Sequence, residues 1–308
     1  GANHGTVDVL QDTAVTLSNT IDGVGRLNKT GLGTLVLTAN NTYQGGTAVN
    51  AGTLVVNSAN NLGSGNQLAI NNATVQTTSA MSLKNLVLSG ASSIKADADL
   101  TVQDVALTGT ANLFTDNTLN IAGTVSGAGA LVKQGTGNLE LSGVNTYSGG
   151  TTLTSGTLTL ANGSSLGSGA LTVQSGQVAL KEGFVSTNDF NQNGADSSLT
   201  GNGTFANVNV TTGQLTIANN ITATNQTQIT GGGLLVNGQL TSPMITVGSA
   251  GRLGGSGTVI GNVNVNGTLS PGNSPATLTV TGDVNQNTGS RLEIEIDGVT
   301  LGTGAGHY

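Results

Sequence analysis

Aliphatic residues alternate with threonine, asparagine and other polar residues in many short runs along the chain. The stretches "TLVLT" at 34–38 and "QLAIN" at 67–71 are two examples, and alternation with a period of two is expected of a β-strand that buries one face. Glycine, asparagine, serine and aspartate separate the runs every few residues, as tight turns require. No stretch of ten residues has a helical period with caps. The pattern predicts strands at 34–38, 52–57, 67–71, 86–90, 99–109, 118–123, 138–143, 170–180, 207–218, 258–269, 277–284 and 291–297.

A long phrase occurs twice in the chain. Residues 25–65 align without gaps with residues 129–169, and 20 of the 41 positions are identical. The identical positions are mainly turn glycines and every second aliphatic residue, which is what a solenoid repeat has to preserve. Two repeat copies, 25–75 and 129–180, are therefore predicted. Their shared structural positions include Tyr43, Gly45, Gly46, Tyr147, Gly149 and Gly150.

Two all-β architectures are compatible with alternating strands and frequent turns. An antiparallel sandwich does not explain the repeated glycine-rich phrase or the scarcity of aromatic residues. In a right-handed parallel β-helix, strands of successive coils stack about 4.8 Å apart, and aliphatic residues fill a narrow interior. Threonine and asparagine can then form ladders along the coils. We therefore predict an all-β, right-handed parallel β-helix (a β-solenoid) that forms a single domain over residues 1–308.

The amino-acid composition excludes several classes of function. Charged residues make up 7% of the chain and aromatic residues 2%, while hydrophobic residues reach 36% in regular runs, which argues against disorder. The formal net charge is −7 and the eight Lys and Arg residues are dispersed, so nucleic acid is not an expected partner. No segment approaches the roughly 18 apolar residues of a membrane helix. The chain has no cysteine for disulfides or thiolate chemistry.

Catalytic groups are scarce in the sequence. A Ser–His–Asp arrangement needs an imidazole, and the two histidines, His4 and His307, lie at opposite ends of the predicted β-helix. The stretches "GGSGTV" and "GGGLLV" lack the aspartate that calcium-binding nonapeptides place after their glycines. We expect no catalytic residue, no cofactor and no bound metal.

Two acidic clusters raise the possibility of the paired carboxylates that polysaccharide-cleaving enzymes use. The clusters are Glu293, Glu295 and Asp297, and Asp97, Asp99 and Asp104. In the first cluster Leu292, Ile294 and Ile296 alternate with the acids and are expected to face inward. For both clusters we favour a solvated acidic edge, which discourages stacking of β-structure on itself.

Two further features are candidates for ligand contact. Tyr43 and Tyr147 could belong to a sugar-binding or adhesive surface, but an aromatic residue before a double-glycine turn more often packs over that turn, and we favour packing. Segment 181–205 holds three of the four phenylalanines. It is either a longer loop with its rings packed against the β-helix, which we favour, or a protruding loop with exposed aromatic hot spots. The candidate contact residues are Phe184, Asn188, Asp189, Phe190, Asn191 and Asn193.

The repeated phrase resembles a known family. The copies "GVGRLNKTGLGTLVLTANNTYQGGTAVNAGTLVVN" and "GAGALVKQGTGNLELSGVNTYSGGTTLTSGTLTLAN" resemble the passenger-associated repeat of bacterial autotransporters, the proteins of type V secretion. Residues 254–298 resemble the region near the C-terminus of the passenger in the same family. The resemblance implies a β-helical passenger that its own C-terminal β-barrel exports through the outer membrane to the bacterial cell surface. This sequence lacks the β-barrel, so we expect a passenger excised from a longer precursor.

The resemblance and the scarcity of catalytic groups lead to a first functional hypothesis. It is a non-enzymatic cell-surface adhesin that mediates bacterial self-association, biofilm formation and attachment to host surfaces. Its expected partners are the same protein on neighbouring cells, through weak multivalent contacts, and host matrix proteins or glycans. Two alternatives stay open: a non-catalytic stalk that displays a removed N-terminal effector domain, and an enzyme acting on polysaccharide.

Overall fold

The computed structural model describes residues 4–65, 67–272 and 276–294. These residues form short β-strands and one turn of 3₁₀ helix at Ala59–Leu62, and no α-helix occurs among them. The strands of successive coils pair in parallel, for example Thr34 with Thr53 and Leu35 with Leu54. The predicted all-β parallel β-solenoid is confirmed.

The chain divides into two compact units, Gly1–Gly169 and Ala170–Tyr308. The strands of the first unit are β1 Gly5–Asp8, β2 Ala14–Leu17, β3 Leu27–Thr30, β4 Thr34–Leu37, β5 Thr47–Val49, β6 Thr53–Val56, β7 Gln67–Asn71, β8 Thr74–Thr77, β9 Met81–Ser89, β10 Ala91–Ala96, β11 Leu100–Leu107, β12 Thr110–Thr115, β13 Thr118–Ile121, β14 Val125–Gly127, β15 Ala130–Gln134, β16 Asn138–Leu141, β17 Thr151–Leu153 and β18 Thr157–Leu160.

The second unit has fewer but longer strands. They are β19 Leu171–Val173, β20 Gly176–Leu180, β21 Phe184–Val185, β22 Phe190–Asn193, β23 Ser197–Thr200, β24 Gly203–Thr212, β25 Gln214–Ile217, β26 Asn220–Val236, β27 Gln239–Gly255, β28 Thr258–Val265, β29 Thr268–Pro271, β30 Thr279–Thr281, β31 Val284–Gln286 and β32 Arg291–Leu292. Each run predicted from the sequence contains part of at least one strand. Residues 295–297 of the last run lie outside the described residues.

Each coil returns the chain beside its starting point after a short stretch. In the first unit Leu27 lies beside Thr47, Thr47 beside Leu68, and Leu68 beside Leu86, all in parallel register. Turn residues are paired in the same way, since the backbone N–H of Asn50 donates to the carbonyl of Lys29 at 2.9 Å. Backbone groups outside the strands therefore also find partners one coil away, as buried backbone requires.

The interior consists of rows of aliphatic side chains. In β4, Leu35 and Leu37 are fully buried while Thr34 and Val36 are partly exposed, as the alternation predicts. Each such aliphatic side chain stabilises the fold by roughly 1.5–3 kcal/mol when fully buried. Leu35 continues as a row one residue per coil through Leu54, Val75, Ile94 and Leu113.

The two repeat copies lie on different faces of the solenoid in the first unit. Strand β3 opens the first copy and pairs with β1 and β5. Strand β15 opens the second copy and pairs with β12 and β17, in the stack that contains β4. Lys133 therefore continues the row of Leu35, although Leu139 is the equivalent of Leu35 in the repeat. The repeat specifies a local path of the chain and not a particular face.

Candidate functional site

One of the two histidines, His4, lies in the described part of the chain. His4 is exposed before the first strand, and His307 lies outside the described residues. Within residues 4–65, 67–272 and 276–294, no group of three or more His, Cys, Asp or Glu residues could hold a metal ion.

Glu293, the described member of the first acidic cluster, forms two ion pairs. Glu293 contacts Arg252 at 2.5 Å and Arg291 at 3.3 Å. The other two members of the cluster, Glu295 and Asp297, lie outside the described residues. The described member therefore has a structural role between coils of the second unit.

The inward orientation expected around this cluster is not observed for Leu292 and Ile294, which are both exposed. Leu292 lies beside the buried Leu269 in parallel register, although it is 47% exposed. Ile294 is 65% exposed, so its predicted burial is wrong. Strand β32 ends at Leu292, and the alternation of a paired strand is not imposed beyond that point. Ile296 lies outside the described residues.

The second acidic cluster also stabilises the backbone. Asp97 forms an ion pair with Lys95 at 3.5 Å. Asp99 and Asp104 each accept a hydrogen bond from a backbone N–H of the next coil, at 2.9 and 2.8 Å. The carboxylates thus act one by one, Asp97 and Asp99 in the turn between β10 and β11 and Asp104 within β11.

Tyr43 and Tyr147 lie inside the first unit. They are 2% and 0% exposed, and their phenol oxygens share hydrogen bonds with the hydroxyls of Thr47 and Thr151 at 2.7 and 2.5 Å. Burial raises the pKa of Tyr43 to about 12 and also raises the pKa of Tyr147, against a smaller opposite effect of the threonine hydroxyls. The tyrosines are packed, neutral groups and do not line an outer surface.

The double glycine after each tyrosine allows neighbouring coils to approach closely. Gly46 and Gly150 have φ of 76° and 82°, in the left-handed region that favours glycine. A Cβ atom on Gly45 would lie 2.5 Å from the backbone nitrogen of Arg26, and one on Gly149 would be equally close to the backbone of the preceding coil. The six predicted structural positions of the repeat are therefore used for packing.

An asparagine next to each tyrosine links three coils, which sequence reasoning missed. The side-chain oxygen of Asn41 accepts the N–H of Ile21 at 2.8 Å, and its nitrogen donates to the carbonyl of Asn61 at 2.6 Å. Asn145 makes the same two bonds at 2.7 and 2.6 Å with the coils before and after it. Asn41 and Asn145 are 6% and 5% exposed. The signal in the sequence that could have revealed this role is that both repeat copies have asparagine at the same position.

A lysine also lies inside each copy, which was likewise missed. Lys29 and Lys133 are both 0% exposed. The Nζ atom of Lys29 donates to three backbone carbonyls at 2.8, 2.6 and 3.1 Å, and that of Lys133 donates to three at 2.8, 2.9 and 3.3 Å. Burial lowers the pKa of Lys133 to about 8 and lowers that of Lys29, while Asp116 and Asp8 respectively act in the opposite direction.

Segment 181–205 packs its rings in the interior of the second unit. Phe184, Phe190 and Phe205 are at most 1% exposed, and the ring centroid of Phe205 is 5.3 and 5.4 Å from the other two. The hypothesis of a protruding loop with exposed aromatic residues is therefore wrong, because the rings bury their large apolar area together. Asn188 is buried as well, and its side-chain oxygen accepts a hydrogen bond from Ser186.

The remaining candidate contact residues face outward and bond to the next coil. Asn207 donates to the carboxylate of Asp189 at 2.6 Å, and Asn209 donates to the side-chain oxygen of Asn191 at 2.8 Å. The side-chain oxygen of Asn193 accepts from a threonine hydroxyl at 3.2 Å. Asp189 and Asn191 are partly exposed and Asn193 is exposed. A role of these residues in ligand contact stays a prediction.

Asn191 belongs to a continuous outward row of the second unit, in which Thr172 precedes it. We call the part of this row from Asn191 onward the amide row. It consists of Asn191, Asn209, Gln228, Thr246, Asn264 and Asn285, each in register with the next. All six side chains are partly or fully exposed, and none is charged. The nitrogen of Asn285 donates to the oxygen of Asn264 at 3.1 Å. A ladder bond uses one of the two donors of an amide, so the second donor can serve a partner.

The structure contains no helix, among the residues it describes, that is long and apolar enough to cross a membrane.

Comparison with known proteins identifies the repeat. The family described as the Passenger-associated-transport-repeat matches residues 27–56 and 131–160, which lie within the two predicted copies. A stretch of 52 residues is 48% identical to the "Adhesin BmaC autotransporter" of Brucella suis biovar 1 (strain 1330). This stretch is 17% of the present chain and 2% of the adhesin, so the chain corresponds to a small part of that relative. No solved structure matches. The repeat matches, the similarity to an autotransporter adhesin and the parallel β-solenoid confirm the resemblance of this chain to the passenger domains of autotransporters.

Proposed function

We propose that this chain is the adhesive part of a cell-surface autotransporter passenger, and that it holds cells together by binding a second copy of itself. The observation that carries the proposal is the amide row of the second unit. The similarity to an adhesin autotransporter supports the same class of function. In this proposal the passenger is exported through the outer membrane, cell–cell contact leads to biofilm formation, and the outer face of the β-helix also attaches cells to host surfaces.

The chemistry of the amide row favours a homotypic partner. Each amide carries both donors and an acceptor, so two identical rows can pair donor to acceptor when the copies meet face to face. A two-fold arrangement of this kind uses the same surface on both partners. The row lacks charge, so two copies do not repel each other along it, although the whole chain has a formal net charge of −7.

The strength of such a contact depends on repetition. One hydrogen bond contributes only about 0.5–1.5 kcal/mol net, and exposed amides lose water contacts when they pair. Rungs about 4.8 Å apart bring several such bonds into register at once. Many copies on each cell then add their weak contacts by multivalency. We therefore expect weak association of the isolated chain and strong clumping of cells.

The experiment compares two variants that add the same charge to different outer rows of the second unit. The test variant is Asn209→Asp with Thr246→Asp, which places two carboxylates in the amide row. The control is Thr204→Asp with Thr241→Asp, in a second row that runs from Thr204 through Thr222 to Thr241. All four positions are partly exposed. Sedimentation of the purified chains and settling of cells that display them are measured in both cases.

We expect the test variant to sediment as a monomer and its cells to stay dispersed, while the control clumps like the unmodified chain. Far-UV circular dichroism establishes that both variants keep the β-fold. Undiminished clumping of the test variant, or equal loss in both variants, contradicts a role of the amide row. An unmodified chain that stays monomeric and clumps no cells favours the alternative, a stalk that displays an effector domain.

A further inference from the structure

A cavity of about 340 Å³ lies at the surface of the first unit, outside the amide row. Its walls come from the turn that holds the 3₁₀ helix Ala59–Leu62, from β7, and from the first half of β9. The cavity forms because two unlike segments stack on each other there. Residues 57–65 form an irregular turn, while Ser82 and its neighbours, one coil later, form a regular strand.

The cavity has an apolar floor and a polar rim. Leu62, Leu68 and Leu83 line it and are at most 7% exposed, so their side chains belong to the core below. The rim consists of the exposed polar residues Asn60, Ser64, Gln67, Ser82 and Lys84. An apolar surface with a few polar groups around it is the usual composition of a small-molecule site.

Lys84 gives the cavity its charge. It is the one ionisable residue among those that line the cavity. Within the described residues no ion pair includes Lys84, whereas Lys95, Arg252 and Arg291 are each paired with a carboxylate. An exposed lysine without a carboxylate partner in an acidic chain provides a local attraction for an anion. The nearest acid by register is Asp104, beside Asn85 in the next coil, and its carboxylate accepts a backbone N–H.

We propose that this cavity binds one carboxylated sugar ring. The volume is at the small end of ligand cavities, which range over about 300–1,000 Å³, and is suited to a single ring. The leucine floor can cover the C–H face of the ring, and hydroxyls and amides of the rim can bond its hydroxyl groups. Lys84 then binds the carboxylate as a flexible point charge. The proposal concerns a different surface and a different ligand from the homotypic contact proposed above.

The experiment is a titration of the isotope-labelled full chain with sodium glucuronate, followed by NMR chemical shifts. Three other ligands separate the contribution of the carboxylate to binding from that of the sugar ring. Glucose lacks the carboxylate, and the methyl ester of glucuronate keeps the shape without the charge. Inorganic phosphate is an anion without a ring. The variants are Lys84→Gln, which removes the charge, and Ser82→Phe, which fills the cavity. Lys95→Gln is the matched control, because it removes an exposed lysine of the same unit.

We expect glucuronate to shift resonances of the cavity residues, with an affinity at least fivefold higher than that of glucose or the methyl ester. Lys84→Gln is expected to lower the affinity for glucuronate by about the same factor of five. Ser82→Phe is expected to abolish glucuronate binding, and Lys95→Gln is expected to leave it unchanged. The proposal is overturned if glucuronate shifts no cavity resonance, if phosphate binds as well as glucuronate, or if Lys84→Gln binds like the unmodified chain. The outcome is independent of clumping, so it also distinguishes this proposal from the adhesin proposal.

Discussion

The two repeat copies in the first unit make the same internal contacts on different faces of the solenoid. Each copy holds a buried asparagine that links three coils, a buried tyrosine bonded to a threonine, and a buried lysine bonded to three carbonyls. The copies nevertheless belong to different strand stacks. The comparison shows that the repeated phrase encodes one self-contained corner of the chain, which more than one face of the parallel stack can accept.

The copies differ in how deeply their polar contacts are buried. The N–H of Val125 that binds Asn145 is in a buried contact, whereas the equivalent contact of Ile21 with Asn41 is only partly buried. Ile21 belongs to the first coil, which begins with β1 and pairs with the next coil at β3, and nearly all residues of this coil are partly or fully exposed. The contact of the asparagine with the preceding coil should therefore contribute more to the free energy of unfolding in the second copy than in the first. The reason is that an unpaired polar group is most costly where water cannot reach it.

The largest effect is expected from removal of the linking amide. Asn145→Leu leaves a buried N–H and a buried carbonyl without partners, and should lower the local free energy of unfolding by about 2–4 kcal/mol. Asn41→Leu should cost less, because its contact with Ile21 is closer to water. Hydrogen–deuterium exchange of the peptides around residues 21 and 125 measures both effects, since solenoids open locally.

A control for this comparison is Asn112→Leu, in the partly exposed outer row of β12. We expect it to leave exchange near residue 125 unchanged. Equal protection in Asn145→Leu and the unmodified chain would falsify the role of the amide as a link between coils.

A smaller effect is expected from the tyrosine hydroxyls. Tyr147→Phe removes the hydrogen bond to Thr151 and should destabilise the second copy by about 1 kcal/mol. Tyr43→Phe should cost about as much, because it removes the bond to Thr47 and a longer bond from the Tyr43 hydroxyl to the carbonyl of Asn61 at 3.3 Å, while the hydroxyl of Thr47 keeps its bond to the carbonyl of Leu62. Urea denaturation of both variants provides the comparison.

A double-mutant cycle with Thr151→Val isolates the contribution of the pair from the rest of the tyrosine. A coupling energy near zero between Tyr147 and Thr151 would contradict a stabilising hydrogen bond at this position.

Much of the fold could be predicted from the sequence because it is periodic. Alternation with a period of two marks the buried face of each strand, as Leu35 and Leu37 show in β4. The repeated glycines mark the corners, where Gly45 leaves no room for a side chain. These signals are local, and a parallel solenoid is determined mainly by local path and by the burial of one face in each coil.

The candidate site was harder to predict because it depends on the register between coils. Asn191 and Asn264 belong to one row only because the lengths of the intervening coils bring them into line. No motif in the sequence records this alignment. The buried lysines could not be predicted for another reason. Lys29 occupies an inward position of the alternation, but a charged residue is seldom buried without a partner. Its partners are backbone carbonyls, which every residue carries and which the sequence therefore does not reveal.

The smallest effect that we expect is a pH dependence of the free energy of unfolding that is due to the buried lysines Lys29 and Lys133. The pKa of Lys133 is lowered from 10.5 to about 8 by burial. Between these values the unfolded chain binds more protons at this lysine than the folded chain, so the free energy of unfolding should rise with pH. The three carbonyl bonds favour the ammonium form and limit the size of the change. Denaturation at pH 7.5 and 9.5 stays below the range in which buried tyrosines would lose their protons.

The comparison that isolates this contribution uses Lys133→Met and, as a control, Lys95→Met at an exposed lysine. The rise in stability from pH 7.5 to 9.5 should be smaller in Lys133→Met than in the unmodified chain, because one titrating group with a lowered pKa has been removed. Lys95→Met should keep the full rise. Lys29→Met should also reduce the rise, since burial lowers the pKa of Lys29 in the same direction. A rise that is identical in all four proteins means that the buried lysines do not titrate in this range, and that the carbonyl bonds outweigh the cost of burying the charge.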